Sequence, residues 1–277
     1  MNYNILSIAA VVAMVSCGQS ENPDARELYN QADQAFQAGD YASATILLDS
    51  LQKGYPSEIG IQREAMSLRP KVIEQAAMLE IASIDSMANA DKQFMEQLKP
   101  KLKWIKTPGM IEGYWIDDKA YKPDFMNSTG IEARVSEIGQ FYVVSSSNPS
   151  VGHTSITLVI GDYSATTPEV AYDGESNYRI GGGEVITFSP EQSDTIGALA
   201  AKFQPQTLPQ NIKITFNGSK AKKSVNLTTA QTQGIANAYR YSSSIIRARD
   251  NEVKRQRLMK TIEIAQRQMQ TMSNKQS

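Results

Sequence analysis

KVIEQAAMLEIASIDSMANADKQFMEQL, residues 71–98, decides the fold. Ile73, Ala77, Ile84, Met87, Phe94 and Leu98 recur with a 3–4 alternation, the pattern of a helix with a narrow apolar seam, and Glu80 and Asp91 interrupt it. So narrow a seam does not hold a helix in water alone, so this segment needs a partner. A second segment of the same kind opens at Thr228, where Thr228 and Gln231 make a capping box, and runs to about Met272. Its apolar residues Leu258, Ile262, Ala265, Met269 and Met272 follow the same alternation. Residues 57–97 hold 4 basic and 7 acidic groups, whereas residues 228–277 hold 9 basic and 3 acidic ones. Opposite charge and matching seams predict that the two helices lie antiparallel in contact, with Phe94 and Leu98 near the start of the second one, around Ile235.

Between them, residues 107–227 change period. Ile131/Ala133/Val135, Ile156/Leu158/Ile160 and Ile212/Ile214/Phe216 alternate with polar residues, as half-buried strands do. Asn217-Gly218 predicts a two-residue hairpin turn, and Gly181-Gly182-Gly183 a second turn. One helix interrupts the strands: Ser189 caps it, Pro190 starts it, Gln192 closes the capping box, and Ile196, Leu199 and Phe203 form its buried stripe. The fold class is therefore α+β, with an antiparallel β-rich head set between helices that pair with each other.

Ahead of the first long helix, Asn22-Pro23-Asp24 reads as N-cap, first helical residue and dipole-matched acid. Leu28, Ala32, Gly39, Tyr41, Ala44, Leu48, Leu51 and Pro56 then fall at the spacing of a single tetratricopeptide-like repeat, which the stretch resembles. The resemblance implies a helical hairpin, with Ala32 and Ala44 letting two helices approach closely. No second copy follows, so the hairpin is expected to cap the helices behind it rather than to start a solenoid.

The chain has 277 residues, a mean hydropathy of −0.38 and a net charge of −1, which exclude a multi-span membrane protein. One Cys excludes a disulfide framework, and one His disfavours an imidazole zinc site or triad. That Cys has its own context. Residues Ile5 to Val15 form an apolar run too short to span a bilayer, and Met14-Val15-Ser16-Cys17 resembles the lipobox of bacterial lipoproteins. The resemblance implies a signal peptide over 1–16, acylation of Cys17 as the first mature residue, and a lipid anchor in the envelope of a Gram-negative bacterium, at the outer membrane. The organisation that follows is a lipidated tether over 17–23, a helical region over 24–106, the β-rich domain over 107–227 and the long C-terminal helix over 228–273.

Candidate chemistry is sparse. His153 follows Asn148-Pro149-Ser150-Val151-Gly152, a loop composition, and reads as a solvated loop side chain. Asp162, Glu169, Asp173 and Glu175 match no calcium-loop spacing. Asp117 and Asp118, adjacent on a strand, point to opposite faces. Tyr114, Trp115 and Tyr121 read as core or rim, and Lys99, Lys101, Lys103 and Lys106 around Trp104-Ile105 as a charged sheet edge. Arg240, Arg247, Arg249, Lys254, Arg255, Arg257, Lys260 and Arg267 would suggest nucleic acid in a cytosolic chain, a partner that the envelope address excludes. Ser50, Ser86 and Thr195 each follow Asp and precede an apolar residue, which resembles a short O-glycan acceptor motif of some Gram-negative gut anaerobes. No metal, cofactor or catalytic residue is expected, and the ligand is left open. The expected function is a non-enzymatic, lipid-anchored binding or scaffold protein, with the membrane and a protein as partners. Its rivals are an envelope hydrolase using head carboxylates as acid and base, and a periplasmic assembly chaperone.

Intact mass of protein extracted from membranes should show a chain that begins at an acylated Cys17, and Cys17→Ala should release unprocessed protein from the membrane. A soluble wild-type species retaining Met1 would remove this expectation.

Overall fold

In the computed structural model, residues 21–276 are described, so the signal segment and Cys17 lie outside them. The chain is α+β, with N-terminal helices, a β-rich region and a long C-terminal helix in that order. Contacts divide the described residues into two compact units, one of residues 21–82 and 257–276, the other of residues 83–256.

The first unit is helical. α1 (Pro23–Gln37) begins where Asn22 Oδ1 accepts the amides of Asp24 and Ala25, and α2 (Tyr41–Gly54) where Asp40 accepts that of Ser43. Ala25, Ala32, Ala44, Leu48 and Leu51 are fully buried against Ile61, Ala65, Leu68 and Val72 of α3 (Ile59–Leu98). The expected helix began only after Pro70. Instead α3 starts at Ile59 and carries Pro70 inside it. The apolar spacing Ile61-Ala65-Leu68-Val72, buried under the hairpin, outweighs the amide that proline lacks. The C-terminal part of α5 (Thr229–Gln276) runs antiparallel to α3 within this unit: Gln266 donates to Glu74 Oε1, and Ser67 meets Met272.

The second unit is built on two antiparallel sheets. The six-stranded sheet orders β1 (Leu102–Ile105), β2 (Tyr114–Asp117), β3 (Gly130–Ser136), β4 (Phe141–Ser147), β8 (Gly183–Thr187) and β7 (Asn177–Ile180). The four-stranded sheet orders β10 (Lys222–Asn226), β9 (Ile212–Gly218), β5 (His153–Ile160) and β6 (Tyr163–Thr166). One core unites Val135, Phe141 and Val143 of the first with Ile156, Leu158, Ile214 and Phe216 of the second, together with Ile196 and Leu199 of α4 (Pro190–Ala201). The capping box on α4 is present, and Gly181-Gly182 form the β7–β8 turn with φ of 54° and 80°.

Three expectations change here. The hairpin at Asn217-Gly218 is not a two-residue turn: Asn217 pairs with Lys222, and Gly218 still belongs to β9. Gly218 is needed for contact, since a Cβ there would lie 2.3 Å from the Val151 carbonyl oxygen. The register of the long helices also differs. Asp91 of α3 meets Ser244 and Arg247, and Asp85 meets Arg255, so they are antiparallel but Phe94 is not level with Ile235. The first turns of α5 enter the core of the head, where Ile235, Ala236 and Ala238 are buried and Asn237 donates to Asp117. The seam is also not the one expected: Met87 is 45 % exposed, and Asp91, in step with Ile84 and Leu98, takes the buried position.

Gly197 of α4 lets Tyr239 and Phe141 pack against its backbone; a Cβ would stand 2.1 Å from Tyr239 Cδ2. Gly197→Ala should cost about 1–3 kcal/mol through overpacking. Gly54→Ala, where a Cβ meets nothing within 4 Å, should be neutral or slightly stabilising. Denaturant unfolding of both variants checks the contrast.

Candidate functional site

The most chemically organised group in the β-rich unit surrounds a residue that sequence reasoning put in solvent. His153 is not a loop side chain: it opens β5, is fully buried, and packs edge-on against Phe216. Its Nδ1 lies 2.5 Å from Glu184 Oε1, and its Nε2 2.7 Å from Ser145 Oγ. Glu184 also accepts Ser150 Oγ (2.5 Å) and the amides of Val151 (3.0 Å), Gly152 (2.9 Å) and His153 (3.0 Å), and Arg179 Nη1 stands 3.3 Å away. Burial alone would push the Glu184 carboxyl up, but hydrogen bonds from His153 and Ser150 overcome it and hold the group at about 2. Burial likewise lowers the His153 imidazole below its ordinary value, against the pull of Glu184. A neutral ring beside a fixed carboxylate carries its proton on Nδ1, so Nε2 accepts from the Ser145 hydroxyl.

That is the connectivity of a hydrolase relay: hydroxyl, base, orienting acid. Access separates it from one. Ser145, His153 and Glu184 each have 0 % exposure, and none lines any of the four clefts described here. Ser145 lies inside β4, paired with Ile131 and Ile186, rather than on an exposed elbow. The arrangement pins the 150–153 loop and ties β5 of one sheet to β4 and β8 of the other.

Two clefts that carry charged and polar side chains open on the same unit. One, of about 560 Å³, is lined by Glu112, Gln140, Tyr142, Asp173, Ser176 and Gln192 among others. Asp173 Oδ1 accepts the amides of Glu175 and Asn177, and the amide of Asn177 foremost holds its carboxyl below the usual range, opposite to what a general acid needs. The other, of about 590 Å³, holds Lys101, Asp117, Asp118, Lys119 and Gln233. Asp117 is buried, one oxygen taken by the Lys119 amide and the other by Asn237; Asp118 is exposed. Among the described residues, Gln233 Nε2 has no hydrogen-bond partner.

The remaining candidates fall to structural work. Tyr114 is buried under Arg134, whose guanidinium sits 4.1 Å from its ring centroid, and Trp115 meets Trp104 at a tilt and Tyr241 edge-on. Lys103 covers the Tyr121 ring from the edge strand β1. Asp162, Glu169, Asp173 and Glu175 are exposed, and no group of His, Cys, Asp or Glu among the described residues could hold a metal. Ser50, Ser86 and Thr195 are exposed hydroxyl residues, with Ser50 Oγ donating to the Ile46 carbonyl. Basic residues of α5 in this unit grip neighbours: Arg240 caps carbonyls of Ala201 and Phe203, Arg247 pairs with Asp91, Arg249 reaches Ile138 and Arg255 reaches Asp85.

The helical unit has grooves lined mainly by apolar side chains. A groove of about 590 Å³ runs between Met66, Arg69 and Pro70 of α3 and Ile264, Arg267, Gln268, Thr271 and Met272 of α5. A second, of about 570 Å³, is lined by Met78, Ile81, Met259, Lys260, Ile262, Glu263 and Gln266. Met66, Leu79 and Ile264 are 65 %, 62 % and 58 % exposed. The seam reading pointed Met269 and Met272 inward but gave no sign that Met66, Met78 and Met259 line open grooves. No family model matches the chain, and no curated protein or solved structure matches it either.

The buried relay has a pH signature. His153 and Glu184 both bind protons less well folded than unfolded, so their contributions are present above about pH 6.5 and 4.5 respectively and are lost on acidification. Melting temperature should fall as pH drops below 6.5, and again as it falls from 4.5 towards 2. His153→Asn, which keeps a donor for Glu184, should flatten the first limb. Glu184→Gln should cost about 3 kcal/mol or more at pH 7 by leaving buried donors facing an amide.

Proposed function

We propose that the chain is a non-enzymatic binding module of a Gram-negative envelope, anchored by lipid on Cys17, whose helical unit takes an apolar segment of a partner protein. The observation that carries this reading is the groove of Met78, Ile81, Met259 and Ile262, open to solvent at a helix seam. Exposed apolar surface organised in a groove marks a binding face, and methionine adapts to many apolar partners. Among the described residues no helix is long and apolar enough to cross a membrane, so under this reading attachment falls to the lipid.

The hydrolase alternative receives less support. Its best hydroxyl is sealed inside β4, and the carboxylates of the two clefts in the β-rich unit include one tied to backbone amides and one tied to Asn237. The same groove favours a second, narrower reading, an assembly chaperone that grips partners before they fold, because a methionine lining imposes little sequence preference.

Purified protein should slow aggregation of a chemically unfolded model protein, followed by light scattering. The Met78→Glu/Met259→Glu double variant should lose most of that effect while melting normally, because the two side chains are 42 % and 49 % exposed. Equal protection by both proteins would reject the groove. No protection by either, with a single partner photocrosslinked at Met259 in cells, would favour the scaffold over the chaperone.

A further inference from the structure

The first groove differs from the second in its charge and in lying on the stretch of α3 that follows the contacts with the start of α1. Only Gly18 to Asn22 separate Cys17 from Pro23, the first residue of α1, so even fully extended chain keeps that helix within about 20 Å of the lipidated residue. The start of α1 is clamped to the start of α3: the Asn22 amide donates to Glu58 Oε2 at 3.3 Å, and Arg26 bridges Glu21 and Glu64, each at 2.8 Å. Beside that clamp, Ile59 is 69 % exposed. Ile59, Arg63 and Met66 are spaced i, i+4, i+7 and therefore share one face of α3, which continues into the groove with Ile264 and Arg267 of α5. Arg63 is exposed, and Arg267, paired with Glu263, is 74 % exposed. α1, by contrast, exposes Asp24 and Glu27.

We propose that this α3/α5 face lies on the bilayer surface, with Ile59, Met66 and Ile264 at the boundary between headgroups and acyl chains and Arg63 and Arg267 against anionic headgroups. The proposal rests on the lipid-anchor reading, since the short tether is what brings the face to the surface. Apolar side chains flanked by arginine are the chemistry of an interfacial surface, and a second contact would orient a chain that the lipid already holds at the membrane. The acidic surface of α1 would be repelled by the same lipids, so charge selects which face turns down.

The test uses the lipidated full chain in vesicles of phosphatidylethanolamine and phosphatidylglycerol. Met66→Cys supplies a thiol for an environment-sensitive fluorophore, because acylated Cys17 does not react, and Gln37→Cys at the far end of α1 supplies the control. Both positions are exposed, so labelling leaves the core intact. The expected result is a blue shift at position 66, with brominated-lipid quenching severalfold stronger than at position 37 and weaker when phosphatidylglycerol is omitted. A water-exposed label at 66 on protein that still floats with the vesicles would overturn the proposal and leave the anchor standing. Protein that fails to float at all would overturn the anchor reading and the proposal with it. A blue shift at 66 without lipid quenching would mean that a second copy covers the face, and would equally overturn it.

Discussion

A single buried negative charge organises the β-rich unit. Glu184 has no exposed surface, and its desolvation would be costly without compensation. The chain compensates with donors from consecutive residues: one hydroxyl, three backbone amides and one imidazole, all from 150–153. An irregular loop next to Pro149 therefore has its buried amides satisfied by a strand of the other sheet. Ser145 completes the chain of bonds, so β4, β5 and β8 are held in one register across two sheets. Gly183 and Gly218 serve the same junction. A Cβ on the first would meet the Ser147 carbonyl oxygen at 3.2 Å, and one on the second would meet that of Val151.

The helices rely on the same device in a wetter setting. Asp91 stands where a heptad calls for an apolar residue, and the Arg247 guanidinium foremost holds its carboxyl below the usual range. Such a pair fixes register more than it adds stability, since a buried charge without its partner is costly in every other alignment. That gives several of the basic side chains of α5 a structural use. Arg240, Arg247, Arg249 and Arg255 spend their charge on carbonyls and carboxylates of the same unit.

What could be read in the sequence was what local chemistry writes. Asn22, Ser189 and Thr228 announce helix starts because a cap and its amides lie within a few residues of each other. Ile156, Leu158 and Ile160 announce a strand because burial alternates along it. What escaped depended on partners far along the chain. His153 and Glu184 are 31 residues apart, and nothing in Asn148–Gly152 tells of the carboxylate that draws the ring inside. β8 is buried on both faces, so its acid left no alternation to notice. Pro70 looked like a boundary because the hairpin packing that keeps α3 continuous is tertiary. The open methionine grooves were hidden for a related reason: methionines that line a groove and methionines that fill a core fall at the same spacing.

The two units thus treat their polar and apolar groups in opposite ways. In the β-rich unit a hydroxyl–imidazole–carboxylate chain is sealed from solvent and ties strands of both sheets together. In the helical unit apolar side chains that could have been covered stay open in two grooves. Leaving Met66 and Ile264 of the first groove in water forgoes burial worth about 1.5–3 kcal/mol for each such side chain when fully covered. A chain whose cores elsewhere are closed has no folding reason to forgo it. That cost is what the two contacts proposed above, one with a polypeptide and one with lipid, would recover.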